Sequence, residues 1–372
     1  MMKGQWIIIA LVIFTGCIQP ISFDIASTER LLIIEGRITD EAPPYQVKVS
    51  YALDLEADTL KGLPETNAIV TLYDGKGINE TFVEIHPGVY ESSGIIAGKA
   101  GSSYQLTVQT TDGKLFESAS EVLKSSGHVT AIRFEFEERD KLVSYGEANA
   151  DVFNIYIDAA GHGTEDLIRW KMTGIYRVLT YPALRMTEVP PYTPYKDPVP
   201  CSGYIVVGGP PGSGGLLEQI GPCTCCDCWA YQYPDIPVLN DEFEVVDAQY
   251  QNIKVGEVPI TNYTFHDKYM VVIEQMSLSE TAFRFFKEVQ KQKLASTDLF
   301  QPQVGSLMGN MFPADPNDRV LGLFYAAGIQ KNHQYISRES IPYPVTPITF
   351  ITEACYDSYD NATNEKPILW EE

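Results

Sequence analysis

The chain has 372 residues, enough for two domains or one large one, and its 44% hydrophobic content is ordinary for a packed globular protein. Its 27 basic and 49 acidic residues give a formal charge of −22. This balance argues against nucleic acid as a partner, because phosphate binding needs clustered Lys and Arg. It also argues against attachment to anionic lipid through a basic patch. The 22 Tyr and 16 Phe favour strands over helices.

The N-terminus has the features of a signal peptide, which we assign to residues 1–16. Lys3 supplies the positive segment, and an apolar run follows over residues 6–14. This run is too short to span a bilayer as a mature helix. The chain is therefore predicted to be exported.

The signal peptide ends in Phe14-Thr15-Gly16-Cys17, which resembles a bacterial lipobox. In that motif, small residues precede a cysteine that is lipidated and becomes the new N-terminus, although Phe14 stands where Leu is usual. We predict lipidation of Cys17, with residues 17–28 as a tether, because several acyl chains give stable membrane attachment. A plain secretory signal with a coincidental cysteine is the alternative.

Residues 29–125 are predicted to form a β-sandwich domain. Short alternating segments are separated by turn pairs such as Asp74-Gly75 and Asp112-Gly113, and no helical pattern occurs. The predicted strands are 31–38, 45–50, 68–73, 81–85, 89–92, 104–108 and 115–118. Gly88-Val89-Tyr90, followed by residues 101–106, resembles small immunoglobulin-like or prealbumin-like modules. Modules of this kind bind, space or present, and their fold alone defines no activity.

Residues 126–372 are predicted to form a larger β-rich domain, joined to the first near residues 125–129. The predicted strands are 132–137, 152–158, 166–173, 176–180, 204–207, 269–273 and 320–325. One long helix is predicted over Leu278–Leu294, with apolar residues at helical spacing. Ser277 and Glu280 match a capping box at its start. A glycine-rich stretch over 209–214 lacks the Lys that a phosphate-binding loop requires.

Six cysteines besides Cys17 carry the densest chemical signal. They are Cys201, Cys223, Cys225, Cys226, Cys228 and Cys355. Zinc or a metal cluster is one interpretation, since two local pairs have C-x-x-C spacing, but no finger loop separates them. An exported protein meets an oxidising environment, and six cysteines can pair completely in fifteen ways. We therefore predict three disulfides and no bound metal.

The vicinal Cys225 and Cys226 are expected to have different partners, because the peptide bond between them holds their thiols awkwardly for a disulfide. Cys201 and Cys355 are the only distant partners. This leaves Cys223 with Cys228 as a plausible local pair.

No catalytic residues emerge from the sequence. The histidines, His86, His128, His162, His266 and His333, are scattered and match no H-E-x-x-H motif. No G-x-S-x-G elbow supports a serine nucleophile. With 49 acidic residues, no carboxylate pair can be singled out. We predict no catalytic residue, no cofactor and no metal site.

A series of short motifs makes nearly the whole mature chain resemble a family of Bacteroidetes lipoproteins catalogued as a domain of unknown function (domain of unknown function 4249). They are 32–40, Gly88-Val89-Tyr90, Arg169-Trp170, Cys228-Trp229, 275–279, 300–303, Gly309-Asn310 and 320–324. Members of that family are typically encoded beside TonB-dependent receptors and have no established catalytic residues. The cysteines at 223–228 are denser than the family's usual pattern.

The resemblance implies a non-enzymatic accessory or binding lipoprotein of the outer membrane, with a TonB-dependent β-barrel receptor as partner. A structural or adhesive cell-surface protein is the alternative, and an envelope hydrolase has less support. The ligand, the membrane face, the disulfide pairing and the oligomeric state are left open.

Overall fold

The computed structural model describes most of the chain between residues 31 and 371. The described ranges are 31–52, 62–139, 151–163, 165–183, 198–208, 216–295, 307–348, 351–359 and 361–371. The predicted signal peptide, Cys17, the tether 17–28 and the glycine-rich stretch 209–214 lie outside these ranges.

The protein is mainly β, which confirms the predicted fold class. The strands of the N-terminal part are β1 (Leu32–Thr39), β2 (Gln46–Tyr51), β3 (Leu63–Pro64), β4 (Ile69–Asp74), β5 (Asn79–Thr81), β6 (Val83–His86), β7 (Val89–Glu91), β8 (Ser103–Gln109), β9 (Leu115–Ser118), β10 (Glu121–Val122) and β11 (His128–Glu137). The later strands are β12 (Val152–Ala160), β13 (Ile168–Leu179), β14 (Tyr204–Val207), β15 (Leu216–Gln219), β16 (Asp227–Gln232), β17 (Val238–Leu239), β18 (Gln249–Pro259), β19 (Lys268–Ser277), β20 (Met311–Pro313), β21 (Val320–Ser337) and β22 (Ala362–Thr363). The α-helices are α1 (Glu280–Ala295) and α2 (Cys355–Ser358), and 3₁₀ turns occupy Pro200–Ser202, Asn240–Glu242 and Arg338–Ser340.

An 11-stranded sheet, which we call the long sheet, organises the described residues. Its main order is β22-β16-β13-β19-β21-β1-β2-β7-β6, with β17 beside β13 and β3 beside β2. All its pairings are antiparallel except that of β1 with β21, which is parallel. The sheet is continuous because β21 is 18 residues long, and pairs with β19 over one stretch and with β1 over another.

The strand pairing departs from the predicted domain boundary near residue 125. A six-stranded sheet, β20-β9-β8-β4-β5 with β10 beside β8, covers the N-terminal half of the long sheet. Its edge strand β20 comes from residues after 310, as does β21 beside β1. Met311, Phe324 and Ala326 therefore lie in the same core as Leu32 and Leu106. The N-terminal segment is completed by strands from the far end of the chain.

The other half of the long sheet packs on a three-stranded sheet, β11-β12-β18. Trp170, Tyr269 and Ile273 project from the long sheet into this core and are 1% exposed or less. The two smaller sheets thus cover the same face of the long sheet, which we call its inner face. A two-stranded sheet, β14-β15, stands apart.

The outer face of the long sheet carries α1. Its residues Ala282, Phe283 and Phe286 pack against Leu323 and Tyr325 of β21. The helix is close to its predicted span, but the predicted cap is wrong. Ser279 is the cap, and its Oγ accepts the backbone N–H of Ala282 at 3.1 Å. Ser277 is still paired in β19, so it cannot begin the helix.

Candidate functional site

The alternation of side chains along β13 gives the two faces of the long sheet different chemistry. Trp170 and Met172 point into the inner core, whereas Arg169, Lys171 and Thr173 point outward. A strand that carried only a structural role would be expected to bury apolar residues on a covered face. The outward residues of β13 therefore make the outer face the candidate functional surface.

Lys171, Glu274 and Lys331 stand opposite one another on the adjacent strands β13, β19 and β21. Glu274 is at the centre of this row, and the residue is only 8% exposed. Its Oε1 lies 3.5 Å from Lys331 Nζ, and its Oε2 accepts a hydrogen bond from Arg37 Nη1, also at 3.5 Å. Lys331 Nζ in addition lies 2.7 Å from Glu41 Oε1.

Arg169 lies beneath α1, where its guanidinium carbon sits 3.9 Å from the ring centre of Phe286. Its Nε is buried and has no hydrogen-bond partner among the described residues. Lys171 Nζ lies 5.3 Å from the ring centre of Tyr233. Within the described ranges, neither Arg169 nor Lys171 has a carboxylate at ion-pair distance. These two cations of β13 thus each face an aromatic ring and form no direct ion pair with a described carboxylate.

Burial and charge act in opposite directions on the pKa values of this cluster. Burial lowers the pKa of Lys171 and of Arg169, because it penalises their charged forms. For Glu274, burial alone would raise the pKa, but Arg37, Lys171 and Lys331 outweigh it and hold the pKa below its ordinary value. Glu274 is therefore ionised at neutral pH and stabilises the cations around it.

The cluster has an excess of positive charge in a strongly acidic protein. Its cations are Arg37, Arg169, Lys171 and Lys331, and its carboxylates are Glu274 and Glu41. Four cations against two carboxylates leave two positive charges unbalanced. Further out, Glu35 and Lys48 line one margin and Glu365 and Lys366 the other, so these margins are neutral.

Two hollows open on the outer face beside the cluster. The Lys171 hollow, of about 610 Å³, has Lys171, Glu274 and Lys331 at one end. The Arg37 hollow, of about 420 Å³, lies between Arg37 and α1. Both volumes fall within the range of about 300–1,000 Å³ that is usual for small-molecule sites. The Arg37–Glu274 pair lies between the two hollows.

One wall of the Lys171 hollow is the C-terminal strap, which we define as residues 361–371. Trp370 of the strap packs against Trp229 and Tyr335 on the outer face. The Tyr335 hydroxyl donates to the Leu369 carbonyl at 2.6 Å and accepts from the Glu371 N–H at 2.8 Å. These contacts fix the strap against β16 and β21.

The structure brings the six predicted cysteines together in three disulfides. The pairs are Cys201–Cys225, Cys223–Cys226 and Cys228–Cys355. Cys225 and Cys226 do have different partners, but the expected pair of Cys223 with Cys228 is wrong. Cys228 lies on β16 with its side chain buried against Cys355, so the strand directs it toward the segment that leads into the strap. Cys223 instead bonds within its own turn.

The Cys228–Cys355 disulfide thus ties the C-terminal segment to β16, and all six sulfurs are bonded to one another in pairs. Among the described residues, no three His, Cys, Asp or Glu side chains converge in a way that could hold a metal ion. The five histidines all lie in the described ranges, and no imidazole makes a hydrogen bond to another described residue. No helix in the described part is long and apolar enough to cross a membrane.

The cation cluster cannot be seen in the sequence, because its members are far apart in the chain. Arg37, Arg169 and Glu274 meet only when the parallel pairing of β1 with β21 is known. The available signal was the alternation of Arg169 and Lys171 with Trp170 and Met172, which marks a strand with one charged and one apolar face.

These features define a β-rich protein with a cation-lined hollow on one face of a long sheet. The chain belongs to the family described as Domain of unknown function (DUF4249), whose profile matches residues 18–333 and confirms the predicted resemblance. No curated protein shows significant sequence similarity to the chain. The family match covers the cluster residues from Arg37 to Lys331 but not the strap.

Proposed function

We propose that the protein is a non-enzymatic binding lipoprotein, anchored to the outer membrane through Cys17, that works with a TonB-dependent receptor. The lipobox supports the anchor, and the family resemblance supports the partner. The long sheet supplies a rigid platform, and the Lys171 hollow on its outer face is the ligand site. A rigid scaffold of this kind suits binding because it keeps the contact groups in place before the ligand arrives.

The observation that carries a binding role is the lack of a carboxylate partner for Arg169 and Lys171. An unpaired charge in a desolvated place costs stability, and apolar residues of similar size would be as good or better for folding alone. Shifted pKa values beside a hollow are a feature of functional sites. We infer that the ligand provides the missing counter-charge for Lys171, which lines the hollow.

The same electrostatics argue against Glu274 as a general base at this hollow. Glu274 is the carboxylate at its centre, and its pKa lies below the ordinary value. A general base works best with a pKa near the operating pH, so Glu274 is a poor proton acceptor.

The proposal is tested by extracting the tagged protein from outer membranes with a mild detergent and identifying what accompanies it. We expect a β-barrel receptor to co-purify, and a Cys17→Ala variant to leave the membrane fraction and lose the receptor. Recovery of the wild-type protein alone, or a membrane fraction unchanged by Cys17→Ala, would count against the proposal. The Lys171→Met variant is a matched control, since it should keep both anchor and receptor.

A further inference from the structure

We infer that the Lys171 hollow binds a small organic anion made of a carboxylate on an apolar or aromatic body. This inference rests on the proposed binding function and adds the chemical class of the ligand. It follows from the two ends of the hollow, which differ in chemistry, and from the size of the space between them.

One end of the hollow attracts negative charge. Lys171 and Lys331 flank Glu274 there, and Arg37 neutralises the far side of the same carboxylate. Since Glu274 is already shared between Arg37 and Lys331, the charge of Lys171 is the one left without a partner. An ammonium donates to a carboxylate oxygen in a short, charge-assisted hydrogen bond, which is about twice as strong as a neutral one.

The other end of the hollow is apolar. Its floor is made by Ile175, Met270 and Val272, and its wall by the stacked rings of Tyr231 and Tyr233, whose centres are 6.4 Å apart. The wall reaches the cationic end, where Lys171 Nζ lies 5.3 Å from the Tyr233 ring centre. A fully hydrated inorganic anion would gain nothing from this surface. A hydrophobic or planar group would bury its own apolar area against it, at about 25 cal/mol per Å².

The size of the hollow sets the size of the ligand. A volume of about 610 Å³ exceeds the needs of an inorganic ion and suits a molecule of one or two rings or a short acyl chain. The strap closes one side of the hollow, with Pro367, Ile368 and Leu369 in the lining. The ligand body would therefore lie between the tyrosine wall and the strap.

Isothermal titration calorimetry with the purified full chain tests the inference. The probes are benzoate, indole-3-acetate and octanoate, each with its neutral amide, and inorganic phosphate as the hydrated anion. We expect at least one carboxylate to bind about tenfold or more tightly than its amide and than phosphate, a factor that corresponds to about 1.4 kcal/mol. Lys171→Met should remove this preference for the carboxylate.

Lys291→Met is the matched control, because Lys291 is an exposed lysine that pairs with Glu288 on α1. It makes the same change in net charge away from the hollow and should leave binding unchanged. Tyr233→Ala tests the apolar end at a side chain that is 47% exposed and so tolerates truncation. It should weaken the binding of the carboxylate probe and leave the binding of phosphate unaffected.

The outcomes separate the inference from the proposed function. Equal affinity for acid and amide, or equal effects of Lys171→Met and Lys291→Met, overturns the anion class while a binding role stands. Phosphate that binds as tightly as benzoate removes the apolar requirement and overturns the inference. If no probe binds at millimolar concentration, the inference is overturned, and the receptor co-purification alone decides the proposed function.

Discussion

The two faces of the long sheet are built from the same strands and differ in nearly every physical respect. On β13, Trp170 faces inward, is 1% exposed and donates its Nε1–H to Gln275 Oε1 at 3.0 Å. Its neighbour Lys171 faces outward and meets only an aromatic ring and a charge cluster. The inner face is covered by two further sheets, whereas the outer face is covered at its ends by α1 and the strap.

This difference separates folding from function within single strands. The inner face buries large apolar side chains at close packing, which is what stability requires. The outer face keeps buried cations whose charge is incompletely balanced, at a cost to stability. Alternate residues of one strand thus serve the fold and the proposed ligand site.

The largest expected effect concerns the core between the inner face and the six-stranded sheet, which is built from strands of both ends of the chain. A fragment of residues 29–125 should show no cooperative unfolding transition, because it lacks β20 and β21 and with them Met311 and Phe324 of its core. Circular dichroism during urea denaturation would show this. A sharp transition in the isolated fragment would mean that the N-terminal sheets form a domain by themselves.

Replacing Trp170 by Ala should destabilise the protein by about 3–5 kcal/mol, since a large, fully buried ring is lost from the inner core. Urea denaturation followed by circular dichroism measures the change. Tyr233→Ala on the outer face is the comparison and should cost about 0.5 kcal/mol or less. Equal losses of unfolding free energy in Trp170→Ala and Tyr233→Ala would contradict the distinction between the two faces.

The Cys228–Cys355 disulfide should contribute about 5 kcal/mol, because it closes a separation of 127 residues. Cys355→Ala should lower the free energy of unfolding by up to that amount and release one thiol, which a thiol titration in denaturant would count. Replacing both Cys223 and Cys226, which are three residues apart, should cost only about 2 kcal/mol. A larger loss of stability for the Cys223 and Cys226 double variant than for Cys355→Ala would show that loop closure is not the source of the stabilisation.

Replacing Glu274 by Gln should destabilise the protein at pH 7 by about 2 kcal/mol, since Arg37 and Lys331, both partly exposed, lose their shared partner. Burial would raise the pKa of Glu274, but the cations hold it below the ordinary value. Its stabilising effect is therefore complete above about pH 4.3 and is lost as the pH falls through the folded-state pKa. The difference in free energy of unfolding between Glu274→Gln and the wild type, measured by urea denaturation, should therefore become smaller in acid. A difference that does not change with pH would contradict this account.

The smallest expected effect has the opposite sign. Lys171→Met should stabilise the free protein at pH 7 by up to about 1 kcal/mol, because it removes a desolvated charge and keeps the apolar stem. Burial lowers the pKa of Lys171, so the wild type gains stability as the pH rises from the folded-state pKa toward about 10.4. The advantage of the variant in thermal unfolding should therefore shrink in alkali. A variant less stable than the wild type would mean that Lys171 is a structural residue.

Several strands of the sheet that covers the inner face could be predicted from the sequence, whereas the cation cluster on the outer face could not. Local alternation gave β9 at its observed bounds and β8 to within one residue at each end. Missed strands such as β16 and β18 contain turn-forming or mixed residues, among them the Asp227 that begins β16. The assignment of the N-terminal strands to an immunoglobulin-like or prealbumin-like sandwich stays a prediction.

Long-range pairing is the information that one sequence lacks. Nothing in 32–39 or 320–327 indicates that these segments lie side by side and parallel, yet that pairing places Arg37 beside the Glu274 cluster. The same limit explains the cysteines. Compartment and an even count predicted three pairs, but the direction in which β16 presents Cys228 decided which pairs form.

The central claim is that the outer-face hollow holds an organic anion with its acid group at Lys171. A crystal structure of the protein soaked with 4-bromobenzoate tests it directly, because anomalous scattering locates the bromine. We expect the bromine over Met270 and Val272, and a carboxylate oxygen within hydrogen-bond distance of Lys171 Nζ. Bromine bound only at other places, or a ligand in the hollow with its carboxylate turned away from Lys171, would contradict the account.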